Sequence, residues 1–210
     1  MTTPHRRRLY RARRTAVVMT LLLVASFAVV TAAALRGHGA AGAVVCPGAA
    51  GLGPPPTVAA AAVVVPGGLP GALAASPDRL RLVPVFHRWA SVCGVPAALV
   101  EATCYWESGW QDDLVSPTGA VGVCQIEPAA AATVRTQLDD TSLDPRAPSD
   151  NIEMSAAYLR WLLDGTGDRQ DLALAGYYQG LSSVHHHGIL AVSRPYVAGV
   201  SALLDDYRWP

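Results

Sequence analysis

The sequence of 210 residues allows one ordinary domain with extensions, and its formal net charge of zero hides an asymmetry. Seven arginines and no acidic residue lie in residues 1–36, whereas the remainder holds nine arginines and sixteen acidic residues. The acidic remainder argues against a nucleic-acid partner, because binding to phosphates requires a basic surface.

The chain starts with a basic head, residues 1–15, which is followed by an uncharged apolar run, residues 16–35. This layout is typical of an export signal or of a membrane anchor. The run of 20 residues matches a transmembrane helix better than the apolar part of a cleaved signal, which is ~7–15 residues long. We therefore expect a single-pass anchor with a cytoplasmic head and an extracytoplasmic remainder. Small-residue cleavage sites at residues 32–34 and 41–43 keep secretion open as the alternative.

A composition rich in Ala, Gly, Pro and Val marks residues 36–75, with three consecutive prolines at 54–56. Such a composition predicts a mostly unstructured linker with extended proline segments. We expect the globular domain to occupy residues 76–210, which is long enough for one hydrophobic core.

All four cysteines follow the apolar run. An even number in an exported protein indicates disulfides, and four cysteines allow three connectivities, between which the spacing does not choose. The paired close ligands of a zinc site are missing. The cysteines are Cys46, Cys93, Cys104 and Cys124.

Helical periodicity and helix-end signals recur through the globular part, and no stretch shows convincing strand alternation. The sequence therefore predicts an all-α or nearly all-α domain. Asp150 is expected to cap one helix, with Glu153 in the reciprocal capping position, and Asp171 to cap the next. The run His185–His187 could suggest a metal site, but a polar loop after Gly180 is expected instead. Three adjacent histidines on a loop cannot easily all face one metal ion. The predicted helices are Pro84–Val92, Pro96–Glu107, Pro128–Leu138, one from Asp150, Leu172–Tyr178 and one from Ser193.

The helix that ends at Glu107 carries the main candidate for chemistry. Glu107 lies in its last turn between Trp106 and Trp110 in sequence, and Gly109 is a plausible end. A carboxyl group held against aromatic surface has its ionised form disfavoured, which raises its pKa. A general acid that acts on a sugar near neutral pH needs that property.

Three blocks in order resemble the soluble lytic transglycosylases. The first runs from Glu107-Ser108 through residues 116–126, the second is Asp150-Asn151-Ile152, and the third is residues 172–180. The resemblance covers roughly residues 80–205. It implies a goose-type-lysozyme-like helical domain that cleaves the glycan strands of peptidoglycan, in the cell envelope and without a metal or other cofactor.

The resemblance also implies a mechanism with one carboxyl group. Glu107 protonates the oxygen between N-acetylmuramic acid and N-acetylglucosamine, then takes the proton of the muramic C6 hydroxyl as a 1,6-anhydro ring closes. Two rival functions remain at this point: a hydrolytic muramidase on the same fold, and a non-catalytic glycan-binding module of a wall-spanning assembly.

Several site residues are carried over by the resemblance. Ser116 matches a serine that binds sugar near the acid, Gln125 a glutamine that lines the cleft, and Tyr177 a tyrosine that approaches the catalytic glutamate. Each also has an ordinary structural explanation. Ser116 could be a turn residue, Gln125 a surface amide and Tyr177 a ring packed in the core.

Three positions depart from the family pattern. Tyr178 stands where the family usually has asparagine, Cys124 where it has a small apolar residue, and Glu127 where it tends to have methionine. Tyr178 and Glu127 are therefore candidate substrate-binding residues. The ordinary structural explanation for Glu127 is that an acid is favourable at the start of a helix.

The resemblance places Cys124 beside the cleft glutamine and Cys104 one turn before Glu107, so it implies a Cys104–Cys124 disulfide. The remaining two cysteines, Cys46 and Cys93, would then pair with each other.

Overall fold

The computed structural model describes Cys46 and residues 68–138 and 140–210. The expected basic head, the apolar run and most of the expected linker lie outside these residues. Within the described ranges, no helix is both long and apolar enough to cross a membrane.

The described part of the chain is helical, as predicted. Strand-like pairing in this part is limited to isolated antiparallel bridges of Val121 with Val115 and with Ile126. The helices are α1 (Gly71–Ala74), α2 (Pro77–Leu80), α3 (Val83–Cys93), α4 (Ala97–Ser108), α5 (Pro128–Leu138), α6 (Pro148–Thr166), α7 (Gln170–Gln179), α8 (Leu181–His187) and α9 (Arg194–Asp206).

Helix α6 forms the centre of the fold, since it packs against α3, α4, α5 and α7. A stripe of apolar residues with helical spacing on α6 is buried, and each of its isoleucine and leucine side chains contributes about 1.5–3 kcal/mol when it leaves water. Helix α9 packs against α4 and α7 and brings the end of the chain beside the candidate site. The stripe consists of Ile152, Ala156, Leu159 and Leu163.

Helix α4 ends as the sequence predicts, and its end positions Glu107. Gly109 follows the helix with φ 67°, a left-handed conformation that glycine adopts without steric cost. Its N–H donates to the carbonyl oxygen of Tyr105. Glu107 therefore lies in the last full turn, where the side chain can project past the helix end.

Two predicted caps are wrong. Helix α6 begins at Pro148, whose ring presets the helical φ, so Asp150 lies inside the first turn. The Asp150 carboxylate accepts a hydrogen bond from the Asp144 amide, and Glu153 is buried instead of closing a capping box. Asp171 likewise lies inside the first turn of α7, which begins at Gln170.

The histidine run is also not a loop. It forms the end of α8, which starts directly after Gly180. The ring of His185 is 2.8 Å from the carbonyl oxygen of Gly165, and that of His186 is 2.7 Å from the carbonyl oxygen of Ser182. Among the described residues, no three His, Cys, Asp or Glu side chains come together as a metal site.

The ordered domain starts before residue 76. Helix α1 lies within the range predicted as linker, yet Leu69 and Leu73 are buried in the main core. Cys46 is fully buried and joined to Cys93 by a disulfide. The Ala, Gly and Pro content of this range predicts a linker, but the buried side chains of Leu69 and Leu73 attach its end to the domain core.

Candidate active site

The Glu107 carboxylate is held by a tyrosine from the other end of the domain. The hydroxyl of Tyr196, in α9, donates a hydrogen bond of 2.7 Å to Glu107 Oε1. Burial raises the pKa of Glu107 from 4.5 to about 7, the Tyr196 hydrogen bond lowers it, and the negative charge of Glu127 raises it. A carboxyl group with a pKa near 7 exchanges a proton readily at neutral pH.

The two tryptophans that flank Glu107 in sequence differ in their surroundings. Trp110 is 1 % exposed, contacts Phe86 with ring centroids 4.5 Å apart and donates its Nε1–H to the carbonyl oxygen of Glu101, so it belongs to the core. Trp106 is partly buried against the core and meets Tyr196 edge-on, with ring centroids 6.3 Å apart. Tyr196 is therefore the aromatic residue that contacts the Glu107 carboxylate directly.

Residues 109–127 form a loop next to the end of α4, and backbone hydrogen bonds within the loop stabilise it. Val121 exchanges hydrogen bonds with Ile126 on one side, while the amide of Gly122 donates to the Leu114 carbonyl oxygen on the other. The hydroxyl of Ser108, the residue after Glu107, donates to the carbonyl oxygen of Val123. The acid and the loop are thereby fixed to each other.

Asn151, fully buried at the start of α6, makes two hydrogen bonds to the same loop and a third to Pro145. Its Oδ1 accepts from the amide of Cys124 at 2.8 Å, and its Nδ2 donates to the carbonyl oxygens of Val121 at 2.9 Å and of Pro145 at 2.7 Å. Gly122 permits this approach, because a Cβ there would lie 2.7 Å from Asn151 Nδ2 and the local φ is +74°. The second sequence block thus acts as the support of the first.

The predicted disulfide pairing is confirmed: Cys104 is bonded to Cys124, and Cys46 to Cys93. The first bridge joins the middle of α4 to the loop next to Gln125, and both of its cysteines are fully buried. It therefore adds a covalent bond between the helix that carries Glu107 and the 109–127 loop.

Replacing Cys104 and Cys124 together with alanine should destabilise the domain by about 3 kcal/mol, as expected for a bridge that closes a loop of this size. Activity per folded molecule should also fall, because the loop loses one of its ties to α4. Urea unfolding followed by turnover on purified wall measures both effects. The matched control is the Cys46→Ala/Cys93→Ala pair, which should lose stability but keep activity per folded molecule. Equal retention of activity in both pairs would contradict a positioning role for the Cys104–Cys124 bridge.

The remaining expected site residues are placed as follows. Gln125 has φ 49°, which is uncommon for a residue other than glycine, and its Nε2 donates to the carbonyl oxygens of Leu114 and Gly122. The Tyr177 hydroxyl donates to the carbonyl oxygen of Cys124 at 3.0 Å. Its pKa lies well above the ordinary value because of burial and the charge of Glu107. Their sugar-binding roles stay predictions.

Tyr178 packs its ring against Tyr196, with centroids 5.0 Å apart. It therefore supports the tyrosine that holds Glu107. The sequence analysis assigns no role in the site to Tyr196. The helical spacing of apolar residues in the last helix predicts that one face is buried, but it gives no sign that the Tyr196 hydroxyl reaches a residue 89 positions earlier.

A raised pKa alone does not single out Glu107. Burial also raises the pKa of Glu101 to about 8 and, together with nearby acids, that of Glu153 to about 7. Glu101 is fully covered and Glu153 is 6 % exposed. Glu107 is partly exposed at a helix end beside a polar loop, so of these three acids it is the one that a substrate can reach.

The chain matches the family model described as transglycosylase SLT domain over residues 84–191, which is more than half of its length. The chain belongs to this family. Membrane-bound lytic murein transglycosylase F of Pasteurella multocida (strain Pm70) is 31 % identical to it over 107 residues. That alignment covers 48 % of this chain and 20 % of the relative, so the chain spans about a fifth of the length of that protein.

Solved structures of transglycosylases share the fold of this SLT domain. The 70 kDa soluble lytic transglycosylase of Escherichia coli has a TM-score of 0.54 and 25 % identity, covering 59 % of this chain and 23 % of that one. The lytic transglycosylase Slt of Pseudomonas aeruginosa, solved as an inactive Glu-to-Gln mutant, has a TM-score of 0.52 and 22 % identity. That match covers 57 % of this chain and 22 % of the other.

Replacing Tyr196 with phenylalanine should move the pH dependence of this SLT domain upward. The hydroxyl stabilises the ionised form of Glu107, so its loss should raise the Glu107 pKa. The basic limb of the kcat/KM profile should therefore shift to higher pH. Tyr207→Phe, at the far end of α9, is the matched control and should leave the profile in place. An unmoved limb in Tyr196→Phe would refute the electrostatic role of the hydrogen bond.

Proposed function

We propose that this chain is a peptidoglycan lytic transglycosylase with Glu107 as its catalytic acid and base. The observation that carries the proposal is the Glu107 carboxyl group, partly exposed, with a pKa of about 7 and fixed by Tyr196 at the end of α4. Membership of the SLT family supports the reaction type, and the names of the relatives support murein as the substrate.

Two opposing influences on the pKa of Glu107 suit it to both halves of the reaction. Burial favours the protonated form, which can protonate the glycosidic oxygen between N-acetylmuramic acid and N-acetylglucosamine. The Tyr196 hydrogen bond favours the carboxylate that is left, which can take the proton of the C6 hydroxyl as that oxygen attacks C1. The 1,6-anhydro ring closes and Glu107 regains its proton, so each half prepares the residue for the next.

The loop and α7 supply the remaining groups in this proposal. Ser116 and Gln125 in the loop, and Tyr177 and Tyr178 in α7, are proposed substrate-binding residues, since the contacts described above hold the loop and α7 relative to Glu107. The proposed location is the cell envelope, with the chain outside the cytoplasm and held there by residues 16–35 as an anchor. An envelope location is consistent with two fully buried disulfides.

Mass analysis of the fragments released from purified wall tests the proposal. Muramic ends that carry the 1,6-anhydro ring are expected. Fragments with only reducing muramic ends would instead assign a hydrolytic muramidase. Binding to the wall without release would assign a glycan-binding module.

A further inference from the structure

Glu127 immediately precedes α5, where an acid would ordinarily interact with the free amides of the helix N-terminus. Its carboxylate points elsewhere: Oε1 accepts a hydrogen bond of 2.6 Å from the hydroxyl of Thr118, in the 109–127 loop. The side chain is exposed, so this hydrogen bond is not forced by packing. The orientation is that of a group directed toward the loop beside Glu107.

A chain of hydroxyl groups fixes that orientation. Ser116 Oγ accepts from the amide of Ala120 at 2.9 Å and lies 2.8 Å from Thr118 Oγ1. Because Thr118 uses its single hydroxyl proton on Glu127, Ser116 must donate to Thr118. The hydrogen bonds therefore run in one direction, from the Ala120 amide through two hydroxyls to the carboxylate of Glu127.

A small cavity opens beside this carboxylate. Its volume of about 20 Å³ is enough for one water molecule, which needs roughly 10–15 Å³ and at least two polar partners. Two of its lining residues, Glu127 and Gln125, have polar side chains. A third, Tyr177, donates its hydroxyl to the carbonyl oxygen of Cys124, and the disulfide partner of Cys124 is Cys104, one turn before Glu107 on α4. The cavity therefore adjoins the segment that is bonded to the catalytic helix, and the negative charge of Glu127 also raises the pKa of Glu107. The lining residues are Gln125, Ile126, Glu127, Ala130, Tyr158 and Tyr177.

We propose that Glu127 is a second catalytic carboxylate, which binds a water molecule in this cavity and directs it to C1 of the muramic residue. The inference rests on the proposed function, because it needs the cation that forms once Glu107 has protonated the leaving oxygen. The water oxygen forms the new bond to C1, and the Glu127 carboxylate takes one of its protons. The broken C1–O bond leaves N-acetylglucosamine with the proton from Glu107. The proton on Glu127 then returns through solvent to the Glu107 carboxylate, which restores both groups and consumes one water.

The same intermediate then has two outcomes in this chain. Attack by the C6 hydroxyl needs Glu107 alone and gives an anhydro end, whereas attack by water needs both carboxylates and gives a reducing end. A paired carboxylate is the ordinary arrangement for hydrolysis of a glycoside. Glu127 thus sets the ratio of the two products.

The product ratio of the full chain acting on purified wall tests this inference. Pre-existing reducing ends are first removed by borohydride reduction, and both kinds of muramic end are then counted by mass after a short digestion. Glu127→Gln keeps the size of the side chain and removes the base, and Thr118→Val removes its hydroxyl partner. Asp113→Asn is the matched control, since it removes the same charge from an exposed position elsewhere in the loop.

The wild type should release both kinds of end. Glu127→Gln should lower the yield of reducing ends about tenfold or more, within the range for removal of a general base. The ratio of anhydro to reducing ends should therefore rise about tenfold or more. Thr118→Val should lower the reducing ends less, and Asp113→Asn should match the wild type.

Three results would overturn the inference. Anhydro ends alone from the wild type would refute it and leave the proposed transglycosylase function standing, and so would reducing ends that persist in Glu127→Gln. Absence of any release by the wild type would instead refute the proposed function, and the inference with it.

Discussion

Glu107→Gln is expected to reduce the rate of glycan cleavage by about 10³-fold or more, the scale at which general acid–base catalysis contributes. Glutamine preserves the size of the side chain and an oxygen that can accept the Tyr196 hydrogen bond, but it cannot deliver a proton. Binding to purified wall should persist, because the loop and its braces are unchanged. Turnover and wall pelleting by the same preparation measure the two properties separately.

The same substitution should stabilise the fold above neutral pH. The folded-state pKa of Glu107, about 7, lies above its ordinary value of 4.5, so the folded chain binds this proton more tightly than the unfolded chain does. The favourable contribution is fully present below pH 4.5 and is lost as the pH rises to 7. At higher pH the ionised group then costs up to about 3 kcal/mol, less where solvent reaches it. Urea unfolding at pH 8 should therefore show Glu107→Gln to be more stable than the wild type.

Glu101→Gln is the matched control for this variant. Glu101 lies on the same helix and also has a raised pKa, but its carboxyl group is fully covered. Its replacement should leave turnover within about twofold, because a group without access to the substrate cannot transfer its proton. A wild-type rate in Glu107→Gln, or an equal loss of rate in Glu101→Gln, would contradict the assignment of Glu107.

Local signals in the sequence predicted the parts of this domain that are set by local chemistry. Helix α4 ends one residue before Gly109, and α3 ends one residue before Gly94, because glycine in the left-handed conformation stops a helix wherever it stands. The buried stripe of α6 follows from its period of 3.6 residues. The disulfide pairing followed from the family motif, which had already placed Cys104 and Cys124 near one site.

Features that depend on long-range packing could not be predicted in this way. The contact of Tyr196 with Glu107 is set by how α9 crosses α4, and a periodic pattern encodes which face is buried but not what it meets. The histidine run resembles a loop because Gly180 precedes it, yet α8 starts directly from that glycine. Asp150 is of a residue type that commonly caps a helix, but Pro148 begins the helix two residues earlier.

Asn151→Ala is expected to have the second largest effect, on both stability and activity. Alanine would leave the Cys124 amide and the carbonyl oxygens of Val121 and Pro145 without their present partner in a buried site. The Cys124 amide and the Pro145 carbonyl oxygen cost ~1–3 kcal/mol each, whereas the Val121 carbonyl oxygen keeps the Ile126 amide as a donor, so the free energy of unfolding should fall by about 4 kcal/mol. Thermal and urea unfolding measure this loss directly.

Activity should fall further than the loss of folded protein explains. The hydrogen bonds to Val121 and Cys124 hold the loop on both sides of Gly122, and a displacement of about 1 Å there can reduce the rate by about 10²-fold. The reduction should appear mainly in kcat, because the loop positions the groups around Glu107 in the transition state. The assay therefore needs a temperature at which the variant is still folded, as judged by circular dichroism.

Ser149→Ala is the matched control on the same helix. Ser149 accepts a hydrogen bond of 3.1 Å from Nε1 of Trp89, which belongs to α3 and not to the loop. Its loss should cost about 1 kcal/mol and leave kcat unchanged. If folded Asn151→Ala turned over wall as fast as Ser149→Ala does, Asn151 would be a purely structural residue. The position of the loop relative to Glu107 would then be set by its other contacts, among them the Cys104–Cys124 bridge and the hydrogen bonds of Ser108 and Tyr177.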